Sequence, residues 1–379
     1  MLFELNETQR NNKKRFRKFV NDEIIPVAGQ HDRLEKIDEI VISKMKENRY
    51  LGSMIPEAYG GLGMDMISLG ILNEEIGRGC ASVRSMLTVH GMVALAILRW
   101  GTEEQKQYWL PKMAAGDIIG AFGLTEPDVG SDAKSIKTTV EMTENRYILN
   151  GTKKWTTMGQ IADIFLIFAQ FEGKPGAFIV ERSNVNLQIT AMHGLLGARA
   201  SMIAELNFND CIIPENNLIG KVGIGLSHVA FSCLDYGRYT IAWGCIGTAQ
   251  AALEASIDYA GKREQFGKKI KENQLIQKMI AEMYVQVKAG RLLCYQAASL
   301  REKGDPDSIM ETWVAKYFCS TMVNKVAGDA VQIHGGNGCY NEYDVERYYR
   351  DAKINEIIEG TTQIHEILIS KHSFSKIKV

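Results

Sequence analysis

The chain of 379 residues is 45% hydrophobic and 23% charged, enough apolar material for large cores and a length that suggests two or three domains or layers. Lysine and arginine number 44 against 45 aspartate and glutamate, so there is no electrostatic footprint for nucleic acid. The seven scattered cysteines (Cys80, Cys211, Cys233, Cys245, Cys294, Cys319, Cys339) include no CxxC pair, which indicates neither a zinc knuckle nor a disulfide framework; the odd count points to reduced thiols and a cytoplasmic location.

From about Asn6 to Met113 the apolar spacing is helical: Phe16, Phe19 and Val20, then Ile37, Ile40 and Val41, then Leu69, Leu72 and Ile76, broken by the glycine-rich stretch Gly60 to Gly63. The cluster Lys13, Lys14, Arg15, Arg17, Lys18 reads as the solvated face of the first helix, with no secretory apolar region after it. No apolar run reaches the roughly eighteen residues of a membrane helix. Between Ile118 and about Gly220 short β-rich runs take over, at Tyr147 to Leu149, Ile164 to Phe168, Ala177 to Val180 and Glu205 to Phe208. Asn150-Gly151 between two of them is a type I′ hairpin signal, and a compact antiparallel sheet is expected.

After about Ser227 helical spacing returns. Ile241, Cys245, Ala249, Leu253 and Ile257 share one face, then Leu275, Met279, Met283 and Val287, then Met310, Trp313, Tyr317 and Phe318, with Gly304 and Gly335-Gly336 as stops. No βαβ alternation suggests a parallel nucleotide-binding sheet. The expected class is α+β: a helical domain over residues 1–117, a sheet domain over 118–226 and a helical domain over 227–379.

Several residues suggest chemistry, each with an ordinary alternative. Gly220, Gly223 and Gly225 lack the G-x-G-x-x-G spacing and read as a connecting loop. His334, His365 and His372 have acidic neighbours but no metal-ligand spacing, and no nucleophile elbow is present. The stretch Gly123-Leu-Thr-Glu-Pro-Asp-Val-Gly-Ser-Asp132 offers the amides and hydroxyls of Thr125, Gly130 and Ser131 in a turn that can hold a pyrophosphate or the polar edge of a ring; an ordinary β-turn fits equally. Lys154 to Gly159 sets Trp155 and two hydroxyls beside a glycine, suited to walling a flat heterocycle or to core packing. Glu359 precedes a helix capped by Thr361 or Thr362, with Ile364, Ile367 and Leu368 as its expected buried stripe; taken alone, it complements the helix dipole.

Taken in order, Gly123 to Asp132, Lys154 to Gly159, Arg263-Glu-Gln-Phe-Gly267, Gln332-Ile-His-Gly-Gly-Asn-Gly338, Arg350-Asp-Ala-Lys353 and Glu359-Gly-Thr361 resemble the acyl-CoA dehydrogenase family over nearly the whole chain. The resemblance implies a helical domain, a sheet domain and a C-terminal four-helix bundle. It implies FAD between sheet and C-terminal helices, facing Phe122, Leu124, Thr125, Gly130, Ser131, Trp155 and Thr157, with Thr361 and Gln363 on the other side. Arg263, Phe266, Gln332, Gly335 and Gly336 would meet the adenine end in a neighbouring subunit, so a homodimer or homotetramer is implied.

The family's base comes in some branches from the helix carrying Leu234-Asp-Tyr-Gly-Arg238; this chain has Gly237 there, which leaves Glu359 as the catalytic candidate. The resemblance then implies α-proton removal from a thioester and β-hydride transfer to the flavin. Arg238 resembles the family position that touches the thioester carrier, with a surface salt bridge as the alternative. Asp235, Tyr236 and Arg238 are the substrate-binding candidates. Asp128-Val129, Thr156 and Met158 depart from the usual family residues beside the flavin. The segments Asp235 to Cys245 and Asn355 to Gly360 are similar to a subgroup acting on acyl groups tethered to a carrier protein, which make hydroxy-, methoxy- or aminomalonyl extender units for polyketide and nonribosomal peptide assembly. An acidic carrier would need a local basic patch such as Arg199 or Lys221. Ordinary acyl-CoA catabolism and a flavin-binding protein without dehydrogenase action are the alternatives.

Overall fold

The computed structural model describes residues 4–376. Its first helix, α1 (Glu7–Phe19), starts at a capping box in which the Asn6 side chain accepts from the Gln9 amide and the Gln9 side chain from the Asn6 amide. Phe16, Phe19 and Val20 are buried as their spacing predicts. A π-helical turn leads into α2 (Ile25–Leu34), and α3 (Glu39–Glu47) is capped by Asp38. Ile37 and Val41 are buried here, but Ile40 faces solvent.

Two core helices follow, α4 (Met66–Gly79) and α5 (Ala81–Trp100), then α6 (Glu103–Ala115). Almost every residue of α4 and α5 is buried; α5 is apolar on nearly all sides, whereas α4 buries Glu75 paired with Arg78 and Glu74 paired with Arg291. By mean hydropathy, 1.5, α5 is long and apolar enough to cross a membrane, which the residue-by-residue reading missed; 94% of that window is packed inside the protein.

The sheet contains β1 (Gly120–Gly123), β2 (Thr139–Thr143), β3 (Arg146–Thr156), β4 (Ile164–Phe171), β5 (Lys174–Glu181), β6 (Leu187–Ala191) and β7 (Ala204–Pro214). It is mixed rather than purely antiparallel: β4 runs antiparallel to β5, yet pairs in parallel with β1 and, at Gln170 and Phe171, with β2. These parallel partners are distant in sequence, so no turn motif announces them. Asn150-Gly151 is not a hairpin turn. It lies within β3 at a bulge, where Asn150 exchanges two hydrogen bonds with Asp210 and a Cβ on Gly151 would lie 2.6 Å from Thr138 Oγ1. The real turn is Glu144-Asn145, with Glu144 at φ +53°.

The C-terminal helices are α7 (Phe231–Lys262), α8 (Gln274–Glu302), α9 (Ser308–His334), α10 (Val345–Asn355) and α11 (Thr362–Lys376); a small hairpin, β8 (Glu264–Gln265) and β9 (Lys268–Lys269), follows α7. Gly304 and Gly335 follow the ends of α8 and α9 with positive φ, as their sequence positions predict. The expected stripes overrun the core at Ile257 and Leu275, both exposed. α7 is the central element, packed on α8 and α9 and also on α4 and α5. Its backbone touches that of α4, since a Cβ on Gly247 would lie 1.9 Å from the Glu74 carbonyl; only glycine permits this approach.

Candidate active site

Glu359 lies in the link between α10 and α11, at φ +54° and followed by Gly360 at φ +95°. Two cations hold this strained link from outside. Arg238 on α7 donates through Nε to the Glu359 carbonyl at 3.0 Å, and Lys316 on α9 donates to the Gly360 carbonyl at 2.6 Å. Thr361 Oγ1 accepts the Ile364 amide at 3.4 Å, which makes it the cap of α11. The helix does not bury the expected stripe: Ile367 is exposed, and His365 is the fully buried residue, its Nδ1 against the Thr361 carbonyl at 3.0 Å.

The Glu359 side chain turns toward α7. A Cβ on Gly237 would lie 2.4 Å from Glu359 Oε2, so the glycine at 237 makes room for the carboxylate. Oε2 is sealed from solvent and has no hydrogen-bond partner among the described residues. Burial pushes the Glu359 carboxyl up to about 7, against the opposing pull of Arg238, Lys316 and Arg84. Burial likewise lowers Lys316 to about 8 and His365 to about 4. Gly237→Ala is therefore expected to fold with less than about 1 kcal/mol lost, because a flexible side chain yields to the methyl. It should displace the carboxylate and lower turnover at least about tenfold; unchanged turnover would show that the carboxylate position does not matter.

Asp235 and Tyr236 are buried on the same helix. The Asp235 carboxylate is held by Arg301 at 2.6 Å, and the Tyr236 hydroxyl abuts Gly91. Arg238 is 7% exposed and stacks over Trp313 at 5.0 Å, so it is no surface salt bridge.

A second group sits on the sheet. Reciprocal backbone bonds between Glu126 and Val129 close the turn after β1, leaving Gly130 and Ser131 exposed and Thr125 half-buried. Beneath it Lys153, fully buried, bonds Glu126 at 2.7 Å and the Leu124 carbonyl at 3.1 Å. Trp155 is no core residue: it is 51% exposed at φ +62°. Phe122 and Thr157 are half-buried, Leu124 is buried, and Thr156 Oγ1 and Ser201 Oγ are buried without partners. An exposed indole beside loose hydroxyls and open turn amides suits a flat heterocycle with a polar edge, so these residues fit a flavin.

A third group lies elsewhere on the surface. Arg263 precedes the β8–β9 hairpin, whose two turn residues, Phe266 at φ +52° and Gly267 at φ +74°, leave the Phe266 ring fully exposed. Gln332, Gly335 and Gly336 are exposed around the end of α9, and Gln363 is exposed on α11. Arg199 is already paired with Glu35 at 2.5 Å, which weakens it as part of a basic patch.

Arg84, Lys316 and the Lys153–Glu126 pair went unnoticed in the sequence. The signal was there: Arg84 and Lys316 are lone charges inside apolar helical runs, Ala81 to Leu98 and Trp313 to Phe318, where charges are rarely found without a purpose.

A sheet between two helical segments, residues that fit a flavin and a carboxylate in a glycine-cleared space together point to a flavin-dependent enzyme. Family models agree: the N-terminal, middle and C-terminal domains of acyl-CoA dehydrogenase match residues 6–117, 121–211 and 226–374. An acyl-CoA dehydrogenase of Bacillus subtilis (strain 168) is 42% identical over 369 residues, 95% of this chain and 96% of that one. Among solved structures, a glutaryl-coenzyme A dehydrogenase in its glutaryl-CoA complex superposes with a TM-score of 0.96 at 35% identity, covering 100% of this chain and 98% of that one. The prolyl acyl carrier protein oxidase AnaB superposes at 0.93 with 28% identity, over 98% and 100%. This chain belongs to the acyl-CoA dehydrogenase family and is an FAD-dependent oxidoreductase.

Proposed function

We propose that the chain dehydrogenates an acyl thioester, with Glu359 taking the proton from the α-carbon. The observation that carries this is the half-buried Glu359 carboxylate opposite Gly237, whose Oε2 is sealed from solvent without a partner among the described residues and whose pKa is pushed up to about 7. An ordinary carboxylate with a pKa near 4.3 is too weak a base for so weak a carbon acid; one raised to about 7 is stronger and still about half ionised at neutral pH. The Glu359 amide, which donates to no group among the described residues, would be free to bind the thioester oxygen as charge develops there. Arg238 and Lys316 fix the link that carries both groups.

FAD, when bound, supplies the acceptor for the β-hydride. Phe122, Leu124, Thr125, Gly130, Ser131, Trp155 and Thr157 would hold one side of it and Thr361 and Gln363 the other. Arg263, Phe266, Gln332, Gly335 and Gly336 would reach the adenine end in a neighbouring copy; the exposed Phe266 ring supports a homo-oligomer, because a bare aromatic at a hairpin tip gains by finding a partner. The working form of Glu359 is the carboxylate, so exchange of substrate α-deuterium with water is expected to rise with pH and to be half-maximal near pH 7. A flat profile from about pH 5.5 to 8.5 would remove Glu359 as the base.

The likeness to AnaB supports a second reading, a substrate tethered to a carrier protein. One acyl group presented on a carrier protein and on CoA decides it. Faster flavin bleaching by the carrier form supports the second reading, equal or slower bleaching supports a CoA thioester, and no bleaching by either points to a binding protein.

A further inference from the structure

Arg350 and Asp351 lie in the second half of α10, ahead of the link that carries Glu359. Both reach the loop of residues 192–203 that joins β6 to β7. Arg350 closes its fork on Asp32 of α2 and on Glu346, and also donates to the Leu196 carbonyl at 3.3 Å. Asp351, only 5% exposed, accepts the Ala198 amide at 2.6 Å. A Cβ on Gly197 would lie 2.3 Å from the Arg350 carbonyl, so the loop and α10 meet backbone to backbone.

The same loop holds the segment that carries Trp155 and Thr157. The Ser201 carbonyl accepts the Met158 amide at 2.9 Å, and the Met202 carbonyl accepts the Gln160 amide at 3.2 Å. Four non-glycine residues of these two facing segments have a left-handed backbone: Trp155 at φ +62°, Met158 at +59°, Ala198 at +49° and Met202 at +48°. Such conformations persist only where the surroundings over-determine them, and they gather at functional sites. Ala198 has no polar side chain to hold its own turn, so the grip on its amide comes from Asp351. That acid sits at a cost. Burial pushes its carboxyl up to about 6, against Arg347 and Arg350 on its own helix and with Asp32 on α2, while Arg84 of α5 lies within electrostatic reach. The stabilising effect of its proton is complete below the ordinary 3.8 and lost as pH rises through 6, so near neutrality the ionised form opposes folding. Asparagine would fill the same space without that cost, but a carboxylate holds an amide about twice as strongly.

We infer that Asp351 is a positioning residue for the flavin: by gripping the Ala198 amide it keeps the 192–203 loop in the shape that fixes Trp155 to Met158, and so joins that segment to the helix leading into the Glu359 link. This rests on Trp155 and Thr157 facing FAD.

The test follows FAD release from the loaded protein on dilution at about pH 8, where Asp351 is ionised, by the rise in flavin fluorescence, with amide hydrogen exchange on the same samples. Asp351→Asn is expected to release FAD about tenfold faster, and to speed exchange about tenfold in residues 155–160 and 197–203 while β4 and β5 stay unchanged. Adding Ala198→Gly, which adopts φ +49° without strain, should bring release back to within about threefold of wild type. Gly197→Ala, with Asp351 intact, should also release FAD at least about tenfold faster, because the methyl group drives the loop off α10, and Ala198→Gly should not repair it. Wild-type release and exchange in Asp351→Asn overturn the proposal. Fast release that Ala198→Gly leaves unrepaired also overturns it, because that result marks an acid needed only for packing. If Asp351→Asn does not fold, unchanged release in Gly197→Ala overturns it instead. Trp155→Ala separates this proposal from the reading beneath it: unchanged release there removes the flavin assignment and the proposal together, whereas fast release there beside normal release in Asp351→Asn removes the proposal alone.

Discussion

Glu359→Gln is expected to lower α-deuterium exchange and turnover about 1000-fold while FAD content stays at the wild-type level. Glutamine keeps the size and polarity of the side chain, so the space before Gly237 stays filled and Arg238 and Lys316 still grip the carbonyls of the link. Only the base is removed, and a positioned base contributes typically 100- to 10,000-fold. Exchange within about tenfold of wild type would end the assignment.

A second readout of the same variant has a definite sign. The folded carboxyl titrates at about 7 against an ordinary 4.5, so the folded state holds a proton that the unfolded chain has released between those values. The stability contribution of that proton is complete below pH 4.5 and disappears as pH rises through 7, at most roughly 3 kcal/mol. Glu359→Gln should therefore match wild type in denaturant unfolding near pH 4.5 and exceed it near pH 8. The opposite order would mean that the carboxylate is stabilised where it sits and is not desolvated.

Lys153→Met is expected to cost about 3 kcal/mol and to weaken FAD retention with it. Lys153 is fully buried and its partner Glu126 is 5% exposed, so the variant leaves a carboxylate in the sheet without its cation. Burial opposes ionisation of Glu126, but Lys153, Thr138 and the amides of Lys137 and Thr138 outweigh it and hold its pKa below the ordinary value. Those same bonds tie down the turn that carries Thr125, Gly130 and Ser131. The denaturant midpoint and the FAD bound per chain measure both effects. Adding Glu126→Gln should recover part of the lost stability, because the stranded charge is then gone. A Lys153→Met protein as stable as wild type would show the pair to be incidental.

The order of helices, sheet and helices was legible in the sequence, because amphipathic spacing and glycine stops act over a few residues. Glu359, Trp155 and the turn at Thr125 could be picked out for the same reason, as local patterns in a recurring order. Other features needed the folded chain. The Asn150-Gly151 pair carries a hairpin signature but is held in a bulge by Asp210, sixty positions away. β4 takes parallel partners that no turn connects to it. Arg238 meets Glu359 across 121 positions, and Lys316 meets Gly360 across 44. Which side chains are available and which local conformations they favour follow from neighbouring residues; their charge environment arises only in the folded chain. Desolvation and Coulomb interaction depend on distance in space, so a carboxylate that titrates near neutrality could arise only when α5, α7, α9 and the link after α10 came together.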